Sequence, residues 1–116
     1  MQIKQVWDLT RFRPEKMQKV NLFETPRMFC DIYCFEPGQE QKVHSHRGND
    51  KIYHVLKGRG RFTVGEETHT LEEGEATWAP AGEPHGVLNH SGDPLICLVF
   101  MAPHPRPDRF APAGED

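Results

Sequence analysis

Glycine and proline recur along the whole chain, ten of each, and leave room only for short elements between them. The intervening segments are rich in Val, Ile, Thr, Phe and Tyr, the pattern of an all-β sandwich or barrel. Residues 28–35 read as a strand ending at the turn Glu36-Pro37-Gly38, and residues 51–57 as a strand ending near Gly58. Residues 61–64 and 68–71 form a hairpin around Gly65-Glu66-Glu67. Residues 75–79 stop at Pro80, and residues 84–89 lead into Ser91-Gly92-Asp93-Pro94. Residues 95–101 are continuously apolar, as expected of a strand buried on both faces. No stretch of ten or more residues has a convincing helical period; residues 13–19 have room for one polar helical turn.

At 116 residues the chain makes one domain with one modest core. The strand-rich part, 28–102, is the expected barrel. Residues 1–27 are expected to form an N-terminal arm, with 6–12 serving as an edge strand or packing on a partner, including as a strand swapped in a dimer. Residues 103–116 hold several prolines and little apolar content, so they are expected as an extended tail.

The bulk numbers exclude several classes. The apolar share is 36%, mean hydropathy is -0.69, and no run of 18 apolar residues is present to span a bilayer. Net charge is -3, from 14 basic and 17 acidic residues, with no basic stripe to attract nucleic acid. The first residues lack the apolar stretch of a signal peptide, so a cytoplasmic location is expected. Cys30 and Cys34 in one strand stand roughly 13 Å apart, too far for a disulfide. All three cysteines are expected as reduced thiols.

Seven histidines are a rich supply for such a chain. His44 and His46 are two residues apart, and in a strand i and i+2 share a face, close enough for both rings to reach one metal. His85 follows Pro80-Ala81-Gly82-Glu83-Pro84, whose prolines and glycine fix the backbone before the ring. Alone, each of these patterns also fits an ordinary strand or loop histidine.

Their frame is more specific. Gly38, five residues, His44-Ser45-His46, then Asp50-Lys51 and Gly58 resembles the first signature of the cupin family. Gly74, five residues, Pro80, Gly82, His85 and Asn89 resembles the second. The resemblance covers roughly residues 30–103 and implies a double-stranded β-helix, a jelly-roll-like barrel of two antiparallel sheets. It also implies a divalent metal inside the barrel, with His44, His46 and His85 at the ligand positions. Family metals are iron, manganese, nickel, zinc and copper.

The fourth ligand departs from the family pattern. Counted back from Gly58, the usual glutamate position holds Lys51, whose ammonium has no lone pair to donate. Counted forward from His46, a shorter spacing reaches Asp50, a good oxygen donor that would need a bulge to turn inward from a regular strand. Asp50, a water, or an inward-flipped His54 would each complete the shell. In regular register His54 shares a face with Ile52 and Leu56, opposite Lys51, Tyr53 and Val55. If the Lys51 face lines the cavity, Lys51 and Tyr53 are candidate catalytic residues that bind an anionic substrate and move a proton; otherwise Tyr53 is core and Lys51 a solvated strand end. His69, His90 and His104 read as hairpin, turn and tail residues, Arg59 and Arg61 as solvated, and Trp78 as core.

Two function classes follow. A three-imidazole centre with open positions suits an enzyme acting on a small anionic or chelating substrate, either a dioxygenase or a Lewis-acid isomerase or lyase. The alternative is a non-catalytic module that binds a small molecule or a metal, since fold alone does not imply catalysis. The expected partners are a small-molecule ligand and a second copy in a homodimer, because an open barrel leaves edge strands that are usually covered; neither nucleic acid nor membrane is expected.

Overall fold

The computed structural model describes residues 1–110; the end of the expected tail, 111–116, lies outside the described residues. Nine strands follow in order: β1 (Gln18–Thr25), β2 (Met28–Phe35), β3 (Glu40–His44), β4 (Asp50–Lys57), β5 (Arg59–Val64), β6 (Glu67–Glu72), β7 (Ala76–Ala79), β8 (His85–Leu88) and β9 (Leu95–Ala102). They form a five-stranded sheet, β1-β2-β9-β4-β7, and a four-stranded sheet, β3-β8-β5-β6. Every pairing is antiparallel. This is the expected two-sheet barrel. The helical content among the described residues is two short 3-10 turns, Val6–Leu9 and Pro107–Phe110.

The inward faces of the two sheets meet in a core of Tyr33, Phe35, Tyr53, Val55, Phe62, Leu71, Val87, Leu95, Cys97 and Val99. Alternation along β2 sends Tyr33 and Phe35 into this core and Ile32 and Cys34 to the opposite face. There a second cluster forms with Leu22 and Cys30, covered by Val6, Leu9 and Phe12. The N-terminal arm thus packs on the outer face of its own sheet. All three cysteines are buried and unpaired.

Three features depart from the sequence reading. A strand, β1, begins at Gln18, inside the stretch 13–19 that had room for a polar helical turn and within the expected arm. Its Val20 and Leu22 share the outer cluster, and β2 hydrogen-bonds along its length, so tertiary pairing overrides weak local preference. Trp78, expected in the core, is 55% exposed. It sits on edge strand β7 beside Ile52, and the small Ala79 takes the inward position. His104, read as a tail residue, is buried. Its Nδ1 accepts from the Arg106 N–H at 2.9 Å, which leaves Nε2–H to donate to Glu24 on β1 at 3.0 Å. Residues 103–110 therefore return against β1 through His104 and through Arg109, which also contacts Glu24.

One irregularity decides what faces the barrel interior. In the β3–β8 ladder Gln41 pairs with Val87, yet His44 pairs with His85. Three residue steps on β3 match two on β8, so Lys42 and Val43 together oppose Gly86, the signature of a β-bulge. Buried Gln41 points inward. Without the extra residue, alternation would send Val43 inward and His44 outward. With it, His44 joins Gln41 on the inner face, and Val43 is exposed. Gly86 is what allows the approach: a Cβ there would lie 2.8 Å from Gln41 O and 2.9 Å from Val43 N, both backbone atoms. Gly86→Ala is expected to push β3 away and lower the unfolding free energy by about 1–3 kcal/mol, as overpacking does, read as a reduced urea midpoint. An unchanged midpoint would mean that β3 retreats freely and that the bulge does not depend on Gly86.

Candidate metal centre

The bulge in β3 and the turn before β8 bring three imidazoles together. Their ring centroids lie 4.5 Å apart for His44–His85, 4.9 Å for His44–His46 and 5.5 Å for His46–His85. One ligand nitrogen from each lies within 4.8 Å of the others. His44 and His46 are half-buried and form the mouth, while His85 is 1% exposed at the floor.

Backbone carbonyls orient two of the rings. His44 Nδ1–H donates to Lys42 O at 2.7 Å, and His85 Nδ1–H donates to Glu83 O at 2.9 Å. Each bond fixes the tautomer and leaves Nε2 with a free lone pair, the usual way a protein presents imidazole to a metal. His85 Nε2 is buried with no hydrogen-bond partner. A buried acceptor left unpaired is costly, so this atom calls for an electrophile. Burial pushes His85 down to about 4 against the opposing pull of the Glu83 carbonyl, and the Lys51 charge and the other two rings lower it further. Burial also lowers His44 and His46, with Lys51 contributing to both. Three neutral imidazoles at neutral pH are metal-ready, since no proton must leave first. The residues therefore fit a divalent ion.

The structure sorts the other candidates. Asp50 pairs regularly with Ala102, with no bulge at that point, and its exposed carboxylate accepts the Ala81 N–H at 2.9 Å. It does not join the three histidines. The Gly82 N–H donates to His46 O at 2.7 Å, so the same turn holds the loop that carries His46. His54 faces outward between Ala76 and Leu98 and stays away from the cluster. His69 and His90 are exposed. Lys51 and Tyr53 do face the interior, at 1% and 0% exposure. Tyr53 lies 6.2 Å from His85 between ring centroids. Its hydroxyl donates to Gln41 Oε1 at 2.9 Å, and Lys51 Nζ donates to the same oxygen at 3.3 Å. The ammonium also lies 5.0 Å from the Tyr33 ring and 5.1 Å from the Tyr53 ring. Burial pulls Lys51 down to about 7, assisted by Lys19 and opposed by Asp31. Burial raises Tyr53 well above the ordinary phenol range.

Gln41 is the interior residue that sequence reasoning missed. It stands three positions before His44, which in a regular strand means opposite faces; only the bulge puts both inside. Tyr33, a wall for Lys51, went unread as well.

Comparison with known proteins agrees with this architecture. A family model described as a cupin domain matches residues 31–101. The crystal structure of TT1209 from Thermus thermophilus superposes with a TM-score of 0.87 at 50% identity, over 89% of this chain and 98% of that one. An RmlC-like cupin from Desulfovibrio desulfuricans superposes with a TM-score of 0.78 at 28% identity, over 89% and 97%. An uncharacterised protein of Streptomyces coelicolor is 33% identical over 78 residues, 66% of this chain and 71% of that protein.

The buried Lys51 has a consequence for stability. Its folded value of about 7 lies below the ordinary 10.5, so above neutrality the unfolded chain still holds a proton that the folded chain has shed. Stability linked to this group must therefore rise with pH between about 7 and 10.5. Denaturant titrations of metal-free protein are expected to show this rise, and Lys51→Met is expected to flatten it. Equal slopes for the two proteins would refute the assignment.

Proposed function

The chain belongs to the cupin family, and on that premise we propose that it binds a divalent metal through His44, His46 and His85 and acts as an enzyme on a small anionic or chelating substrate. The observation that carries this reading is the buried Nε2 of His85, facing two further imidazoles and without a hydrogen-bond partner among the described residues. When bound, iron, manganese, nickel, zinc or copper would supply Lewis-acid or redox chemistry, consistent with isomerase, lyase or dioxygenase activity.

The chain's own residues supply the rest. His44 and His85, locked by carbonyls, present their nitrogens without rearrangement. When protonated, Lys51 gives the interior a positive charge that suits a carboxylate or enolate. Tyr53 holds its proton firmly and offers it as a hydrogen-bond donor. Core side chains behind them keep water out and strengthen each charge interaction. The mutual engagement of Lys51 and Tyr53 with Gln41 also favours a second reading, a binding module in which these groups hold a ligand without turnover.

Metal analysis of tag-free protein after growth with iron, manganese or zinc is expected to give about one equivalent, falling below ~0.1 in His85→Ala. Equal, low content in both proteins would sink the metal reading. Oxygen uptake and product analysis with β-diketones, catechols, thiols and hydroxy acids then separate the two classes: turnover supports the enzyme, and metal binding without turnover supports the module. We also propose a homodimer, supported by open edge strand β7 and the exposed Ile52–Trp78 pair on it and β4. Sedimentation is expected to give twice the chain mass, and a single chain mass across the micromolar range would remove that proposal.

A further inference from the structure

The donor set at the centre is chemically lopsided. Among the described residues, three imidazoles converge and no carboxylate joins them. Asp50 is held by Ala81 outside the group. The fully buried charged side chain in the interior is a cation, Lys51; Asp31, half-buried on the inner face of β2, attracts it but is hydrogen-bonded to Asn21. An ammonium carries three donors, and Lys51 has one side-chain acceptor, Gln41 Oε1, at the long distance of 3.3 Å. The two aromatic rings beside it offer only their faces. A dication on the histidines and an ammonium in the same interior repel each other. An anion lying between them would relieve both, and a carboxylate has two oxygens to spread over the two cations. Tyr53 OH gives its single proton to the oxygen that holds Lys51, and would donate to the anion only by leaving Gln41. Half-buried His44 and His46 leave a way in from solvent.

We propose that the carboxylate missing from the chain is brought by the ligand: a small carboxylate bound between Lys51 and the three-histidine centre, so that metal and carboxylate bind cooperatively. This rests on the metal reading above and adds that Lys51 is a specificity-determining residue for carboxylate ligands. The cooperativity is reciprocal, since a ligand that strengthens metal binding is itself strengthened by the metal to the same extent.

The test is calorimetric titration of manganese(II) into metal-free full-length protein, in acetate and in perchlorate of equal ionic strength. Acetate chelates manganese too weakly in solution to obscure the comparison. For the wild type, acetate is expected to strengthen manganese binding by about tenfold. Lys51→Glu restores the carboxylate within the chain, so it is expected to bind manganese tightly in either salt, with the acetate effect gone. Lys51→Gln is expected to bind manganese in perchlorate and to gain less than about twofold from acetate; it keeps the test decisive if the glutamate variant does not fold. An acetate effect below about twofold in the wild type, or one retained in full by Lys51→Gln, overturns the proposal while leaving the metal reading intact. Absence of manganese binding in both salts, with wild type and His85→Ala indistinguishable, overturns both.

Discussion

One extra residue in β3 decides what this barrel can do. The core would close with or without it, since Tyr33, Tyr53, Phe62 and their neighbours pack from strands whose register it does not touch. Without it, however, strand alternation would turn the His44 imidazole toward solvent. The bulge shifts that alternation by one, and Gly86 supplies the space opposite it. The pairing of His44 with His85 follows from that local geometry, and so does the presence of Gln41 on the same wall.

That dependence explains what was and was not legible in the sequence. Strands bounded by glycine and proline, such as β2 and β9, announce themselves by composition and turn chemistry. The histidine frame was legible because its spacing is fixed by turns, Gly38 on one side and Pro80 to Gly82 on the other. A bulge leaves no such mark: Lys42 and Val43 have nothing in their side chains that marks a two-against-one pairing. The sequence reading looked for a bulge at Asp50, where a carboxylate would have profited, but β4 runs regularly there and turns Lys51 inward instead. Trp78 and His104 erred in opposite directions for one reason. Burial at a sheet edge or in a returning tail depends on which element covers it, and hydrophobicity alone does not record that.

Among the described residues, the fully buried interior holds one cation, Lys51, with Asp31 half-buried on the inner face of β2. A buried ammonium loses hydration that one amide oxygen and two ring faces replace only in part. Met or Leu at that position would serve packing better. The arrangement becomes favourable if the interior regularly holds negative charge. The same cation lowers all three imidazoles. It thereby helps keep them unprotonated and available, while opposing a naked dication beside it. The first effect favours a metal and the second opposes it, and the proposed ligand carboxylate would offset the second.

Precision at such a centre has to come from its frame, because His46 lies beyond the end of β3 and gains nothing from the ladder. Its loop is held instead at three points. The Gly82 N–H bonds to the His46 carbonyl, Asp50 accepts from Ala81, and Asn49 donates to the Pro103 carbonyl at 2.6 Å. Two of these bonds run to the turn that sets His85, so the mouth and floor of the site share one clamp. The third runs to the segment that His104 and Glu24 hold against β1. Residues 103–110 are therefore mechanically connected to a candidate ligand position. Asp50 belongs to the same logic: a carboxylate that fails to reach the metal position can still govern it, by fixing the backbone from which two imidazoles project.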